Sequence, residues 1–187
     1  MQRSIRIVAA IRDDQWEEPT PCAGWTVAQL IDHMIRENRG FAAAARGERT
    51  GPADWQTPVG ADRRAEYAAS ARAAIAAFAA DGALSRTVWL PLIRDGIHLP
   101  ARQALGFHLL DYLVHSWDVA TAIGRPVDAG KDEVATVQDI AERDVPDGPR
   151  RHRSQATFAP ARPVPDNASP LHRLLAFLGR DPEWSPR

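Results

Sequence analysis

Sulfur is scarce in this sequence: Cys22 is the only cysteine in 187 residues, beside two methionines. A single cysteine excludes an intramolecular disulfide framework and suits a reducing compartment, so a cytoplasmic protein is expected. Lysine is as scarce, with Lys131 alone, and arginine supplies the other positive charges. Neither sign of charge is in excess, since the formal net charge is −1. That balance gives no electrostatic case for nucleic acid or an anionic membrane as partner. No stretch approaches the roughly 18 apolar residues that a membrane-spanning helix needs. The opening Met-Gln-Arg-Ser-Ile-Arg has no apolar stretch behind it and does not read as a secretory signal. Internal repeats are absent as well. What is present is 44% hydrophobic and 25% charged residues, the composition of a globular protein able to bury a sizeable core.

Hydrophobic spacing divides the chain into helices. Ile5, Val8 and Ile11 predict a first helix over 3–16. Pro19, Pro21 and Gly24 break residues 17–25 into a loop. Thr26 with Gln29 three residues later is a capping-box signature. The helix behind it runs to about Arg46, with Val27, Leu30, Ile31, Met34, Asn38 and Phe41 on its buried face. Residues 47–61, with Gly47, Gly51, Pro52, Pro58 and Gly60, form a connection long enough to cross a bundle end. Asp62 starts an Ala-rich third helix that stops near Asp81-Gly82. Residues 84–99 hold Val88, Trp89 and Leu90, then Asp95-Gly96 and Ile97, and read as either a small hairpin or a loop. A fourth helix opens with Pro100 at its first position and closes at Gly124; a shorter fifth covers 131–144. Residues 146–168 read as an irregular tail, extended near 157–164. Ser169-Pro170 then starts a last helix from Leu171 to Leu178, ended by Gly179. The expected fold is all-α, a four-helix bundle with a long crossover in residues 1–146. Residues 147–187 are expected to form a C-terminal extension with a short strand and a short helix, packed on that bundle.

The fourth helix carries the most informative residues. At about 100° per residue, His108, Asp111, His115 and Asp118 share one narrow stripe. Leu105, Phe107, Leu109, Leu110, Leu113, Val114 and Val119 make the rest of the helix apolar. A solvated stripe is ordinarily built from Lys, Arg and Glu, whereas this one holds only residues that bind metals or move protons. Asp111 and His115, at i and i+4, stand about 5–6 Å apart on one face and can reach a common ion. A plain hydrogen bond between them satisfies the same spacing.

On the second helix, His33 is the best interhelical partner, with Glu37 one turn later. His33 reads as a ligand or as a boundary histidine, and Glu37 as a general base or as a solvated glutamate. His108 reads as a fourth ligand, a proton shuttle, a donor behind the ligands, or a boundary histidine. Asp118 reads as the acceptor that orients His115 or as a surface aspartate. Cys22, just before a helix N-terminus, is either packing or a thiol of lowered pKa. Trp25 and Trp117 read as bundle packing. His98, His152 and His172 have no carboxylate at helical spacing on their own elements.

Three segments carry a family resemblance. Pro19-Thr-Pro-Cys-Ala-Gly-Trp-Thr-Val-Ala-Gln-Leu-Ile-Asp-His33 resembles the N-terminal signature of the metal-binding domain of mycothiol-dependent maleylpyruvate isomerase, in the DinB/YfiT-like superfamily of metalloproteins. Asp111-Tyr-Leu-Val-His115-Ser-Trp-Asp118-Val-Ala, with its terminating Gly124, resembles the second signature of that domain. Residues Pro163 to Arg180 resemble the tail of a related actinobacterial branch. The resemblance implies a DinB/YfiT-like four-helix bundle whose divalent ion is held by His33, Asp111 and His115. Many superfamily members are similar but carry histidine at the position of Asp111, and the isomerase branch has a carboxylate there.

Two histidines and one carboxylate leave coordination positions open, the pattern of a catalytic zinc site. Ferrous iron and nickel suit the same donors. The resemblance also implies mycothiol as a cosubstrate held as thiolate, with His108, Asp118 and Glu37 as supporting or acid–base residues. Three functions follow as expectations. The first is a mycothiol-dependent thiol transferase or isomerase-like enzyme acting on a small molecule. The second is a metal-dependent hydrolase, and the third a non-catalytic metal-binding or stress protein that dimerises on a bundle face. The isomerase resembles a bundle followed by a separate C-terminal domain, where this chain has a short tail, so maleylpyruvate itself is not carried over.

Overall fold

Six α-helices and one short hairpin make up the regular structure among the residues that the computed structural model describes, 1–93, 96–153 and 156–186. Helix α1 spans Gln2–Ala9, shorter than the sequence predicts. At Arg12 the chain turns extended, and Gln15 Oε1 accepts the Arg12 N–H at 3.0 Å, which starts a separate 3₁₀ turn at Asp13–Gln15. Val8 and Ile11 are buried nonetheless. Helix α2, Val27–Arg46, begins at the predicted capping box: Thr26 Oγ1 accepts from the Gln29 N–H and Gln29 Oε1 from the Thr26 N–H. Helix α3, Arg63–Ala79, is capped by the Asp62 carboxylate, and α4 spans Ala101–Ala122.

Contacts between α2 and α3 rise together in number, Asp32 with Arg63 and Asn38 with Ser70, so these helices run parallel. Between α2 and α4 they run oppositely, His33 beside Asp111 and Asn38 beside His108. Consecutive parallel helices need a return path as long as the helix, about 30 Å for twenty residues. The connection after Gly47 supplies it by running back along α2. Trp55 lies on Gly40, and the Thr57 and Pro58 carbonyls accept from Arg36 and Arg39. The crossover therefore follows the length of the bundle and not merely its end. A Cβ on Gly40 would enter the Trp55 ring, so only glycine permits this approach.

The 84–99 segment resolves as a hairpin. Strand β1, Thr87–Leu90, pairs antiparallel with β2, Ile97–Pro100, in a register that sets Thr87 opposite Pro100. Asp95 of the expected turn lies outside the described residues. Pro100 ends β2 and caps α4 instead of opening it, because the Ala101 N–H still bonds to the Arg86 carbonyl.

Helices α5, Lys131–Asp144, and α6, Pro170–Phe177, cover the outer side of α4. Leu110, Leu113, Val114 and Trp117 meet Val134, Val137 and Ile140 of α5 and Leu174 and Leu175 of α6. With the bundle on one side and these helices on the other, α4 is apolar almost all round. No strand forms at 157–164. Pro160, Pro163 and Pro165 lack the N–H a ladder requires. The tail is instead tied by the buried Arg151 guanidinium, which donates to the carbonyls of Val145, Ala159 and Phe177. Among the described residues no helix is long and apolar enough to cross a membrane.

Candidate metal centre

The stripe on α4 faces inward. His108 and His115 are buried and Asp118 is wholly buried, so Asp118 is not the surface aspartate its sequence position allows. Helix α2 supplies the facing side chain. His33 Nε2 stands 3.7 Å from Asp111 Oδ1, and His115 Nε2 stands 3.3 Å from the same oxygen. One donor atom from each of His33, Asp111 and His115 lies within 4.8 Å of the others. Tetrahedral zinc with bonds of about 2.0–2.2 Å separates its ligand atoms by about 3.3–3.6 Å. The three donors are thus of the right kind and close to the right spacing for such an ion. Their side chains are unequally accessible, with His33 27% exposed, Asp111 20% and His115 9%. The site opens past His33.

The loop before α2 explains its first half. Thr20 Oγ1 donates toward the carbonyls of Cys22 and Trp25, folding the Pro/Gly-rich segment back on itself. The Trp25 ring thereby meets the His33 ring edge-on, 4.9 Å between centroids. The same fold brings Cys22 Sγ within 4.8 Å of donor atoms of His115 and Asp118. Burial raises the thiol pKa of Cys22 against the opposing influence of Arg180 and His115, so the helix N-terminus does not make it a ready thiolate.

Electrostatics inside the site are strong. Burial alone would raise the Asp111 pKa, but the His115 and His33 imidazoles outweigh it and hold the carboxyl well below its usual range. Burial likewise opposes a charged His115, yet Asp111 and Asp118 together push it up to about 10. The two carboxylates thus favour the imidazolium form of His115, with Nδ1 directed at Asp118 and Nε2 at Asp111. Glu37 Oε1 lies 3.9 Å from His33 Nδ1, with its side chain only 18% exposed, so it is not a solvated helix glutamate. Burial, then the Asp111 charge, push it up to about 8. A cation at the triad would pull it back down.

Behind the three donors, His115 Nδ1 donates to Asp118 Oδ2 at 2.9 Å, which turns Nε2 toward Asp111. Asp118 in turn accepts both arms of the Arg180 guanidinium. Sequence reasoning assigned no role to Arg180. Its only signal was an arginine placed directly after a glycine at the end of an apolar helix.

His108 lies deeper in the bundle. It stands away from the three donors, and its Nε2 donates to Asn38 Oδ1 at 2.9 Å. Asn38 then donates to Ser70 Oγ, and Ser70 to the Tyr67 carbonyl. Packed on Phe41 and buried, His108 is lowered to about 4 by loss of solvent. Its hydrogen bonds link α2, α3 and α4. His98 packs against Trp89 in the hairpin with the two rings tilted, and His172 lies near Glu183 in the tail.

Residues 1–120 match the model of the mycothiol maleylpyruvate isomerase N-terminal domain family. Two proteins of Mycobacterium tuberculosis, from strains CDC 1551 / Oshkosh and ATCC 25618 / H37Rv, are each 33% identical to the chain over 174 residues. Both carry the description "uncharacterized protein". The alignments cover 93% of this chain and 90% of each relative. No solved structure matches the chain.

Proposed function

The chain belongs to the mycothiol maleylpyruvate isomerase N-terminal domain family, and from that premise we propose that it is a divalent-metal protein that activates a low-molecular-weight thiol. His33, Asp111 and His115 hold the ion, for which zinc is the first choice and nickel or ferrous iron fit the same donors. The observation that carries this reading is the convergence of the three side chains from α2 and α4 at ligand spacing. Once bound, the ion would supply the positive charge that keeps a coordinated thiol deprotonated. The rest is the work of the chain. Asp118 accepts the hydrogen bond from His115 Nδ1–H and so leaves the Nε2 lone pair for the ion. Glu37, beside His33 in the half-buried mouth, is placed to accept a proton from an incoming group. Trp25 walls the opening against bulk water at His33.

Mycothiol is the thiol this reading assigns, which puts the protein in the cytoplasm with a small-molecule cosubstrate and a thiol-transferase or isomerase-like reaction. The bundle, residues 1–146, carries the site, and residues 147–187 support it. The family's name gives the isomerase reaction to the family, and no substrate is transferred from it to this chain.

Cobalt substitution tests the thiol contact. Adding mycothiol to the cobalt-loaded protein is expected to produce a sulfur-to-metal charge-transfer band in the near ultraviolet. Loaded cobalt with no such band would remove the thiol and leave the hydrolytic alternative, water as nucleophile and Glu37 as base, or a binding protein without turnover.

A further inference from the structure

We infer that Arg180, delivered by the C-terminal segment, is a positioning residue for the metal centre, so that ion binding at the triad and docking of α6 are coupled. The inference rests on the metal reading above. Arg180 reaches the bundle through a defined turn. The Gly179 N–H bonds to the Ala176 carbonyl and the Arg180 N–H to the Leu175 carbonyl, both at 2.9 Å, which closes α6 in a Schellman motif. Gly179 has φ +81°, and a Cβ there would stand 2.7 Å from the Ala159 carbonyl oxygen. The turn is thus fixed from both sides, and it aims the next side chain inward. Arg180 is 7% exposed and Asp118 is fully buried.

The contact is a fork. Arg180 Nε donates to Asp118 Oδ1 at 3.0 Å and Nη2 to Oδ2 at 3.0 Å. Two parallel bonds set the plane of the carboxylate, which a single bond would leave free to rotate. The same Oδ2 accepts from His115 Nδ1 at 2.9 Å. Orientation therefore passes from guanidinium to carboxylate to imidazole, and ends at His115 Nε2, 3.3 Å from Asp111 Oδ1. A guanidinium stays charged at any working pH, so this support is permanent while α6 is docked. Removing it would strand a buried carboxylate against the imidazole that must hold the ion.

Coupling of this kind is reciprocal: an ion that fixes His115 also fixes Asp118, and with it the arginine at the end of α6. Cys22, His115 and Asp118 also approach one another closely. They do not offer a second ion position, because the Asp118 oxygens are occupied by Arg180 and His115.

The test measures zinc affinity by chelator competition in the full chain and in R180M, R180K and R162M. Arg162 lies on the same segment and pairs with the exposed Asp181, so R162M perturbs the tail without touching Asp118. R180M is expected to bind zinc about 10–100-fold more weakly, as for other partners of metal-bound histidines. R180K, with the charge but not the fork, is expected to fall between, and R162M to match the wild type. Two readouts separate positioning from mere folding. The visible bands of cobalt-loaded R180M should shift, and zinc should slow amide exchange in α6 of the wild type but not of R180M. A folded R180M with wild-type zinc affinity and wild-type cobalt bands would overturn the inference. Should R180M not fold, D118N decides: weaker zinc and loss of zinc-dependent protection in α6 support the coupling, and wild-type behaviour in both overturns it. A wild-type protein that takes up no zinc, nickel or iron would defeat the metal reading and this inference together. Zinc bound equally by wild type and R180M would defeat only the latter.

Discussion

His115 uses its two nitrogens differently: Nδ1 is committed to Asp118 and Nε2 faces Asp111. Pushed up to about 10 by Asp111 and Asp118, it must give up a proton before it can bind an ion. Zinc uptake at pH 7 is therefore expected to release protons, and affinity to rise with pH by about tenfold per unit while one proton is displaced. Calorimetry in buffers of different ionisation enthalpy reads the proton directly, and uptake that is independent of buffer would contradict the account. His108 titrates in the opposite sense. Burial lowers it from 6.5 to about 4, so the unfolded chain binds its proton first. Its contribution is intact above about pH 6.5, declines as pH falls toward 4 and then levels, a loss of up to about 3 kcal/mol. Denaturant titrations of His108→Gln against the wild type should show this decline only in the wild type. Parallel curves for the two would place the pH dependence elsewhere.

At the scale of elements, α2 depends on the crossover laid along it. Gly40→Ala forces a methyl group into the Trp55 ring and is expected to cost about 1–3 kcal/mol, the usual price of overpacking. Urea unfolding measures it; an unchanged midpoint would mean that the crossover does not press on α2. Most elements were legible in the sequence because their signals are local. The Thr26–Gln29 box, Asp62, Ser169 and the glycines after α2 and α6 announce their helix ends by chemistry within four residues. Spacing also identified the stripe on α4, whereas His33 stayed open between ligand and boundary residue and only the family resemblance implied it as a ligand. What stayed hidden depends on distant contacts. The crossover's path along α2 is set by Gly40 meeting Trp55. The burial of Asp118 is set by Arg180, 62 residues away. Periodicity on a single helix cannot say which neighbour covers it, so Asp118, Glu37 and His108 each kept a surface or boundary reading until α2, α3 and α6 were in place.

For the whole molecule, the family match ends at residue 120, inside α4. The three proposed donors lie within it and Arg180 lies beyond it. The two mycobacterial relatives align over 93% of the chain, so their similarity is not confined to the bundle. The molecule is organised around α4, which turns its donors toward α2 and its apolar back toward α5 and α6. The central claim is that this arrangement exists to hold an ion. Elemental analysis of the purified full chain tests it most directly, after loosely bound metal has been removed by a weak chelator. The account predicts one divalent first-row ion per chain in the wild type, and none in folded His33→Ala, Asp111→Ala or His115→Ala. A wild-type chain that holds no stoichiometric ion, or a His115→Ala protein that keeps one, would contradict it.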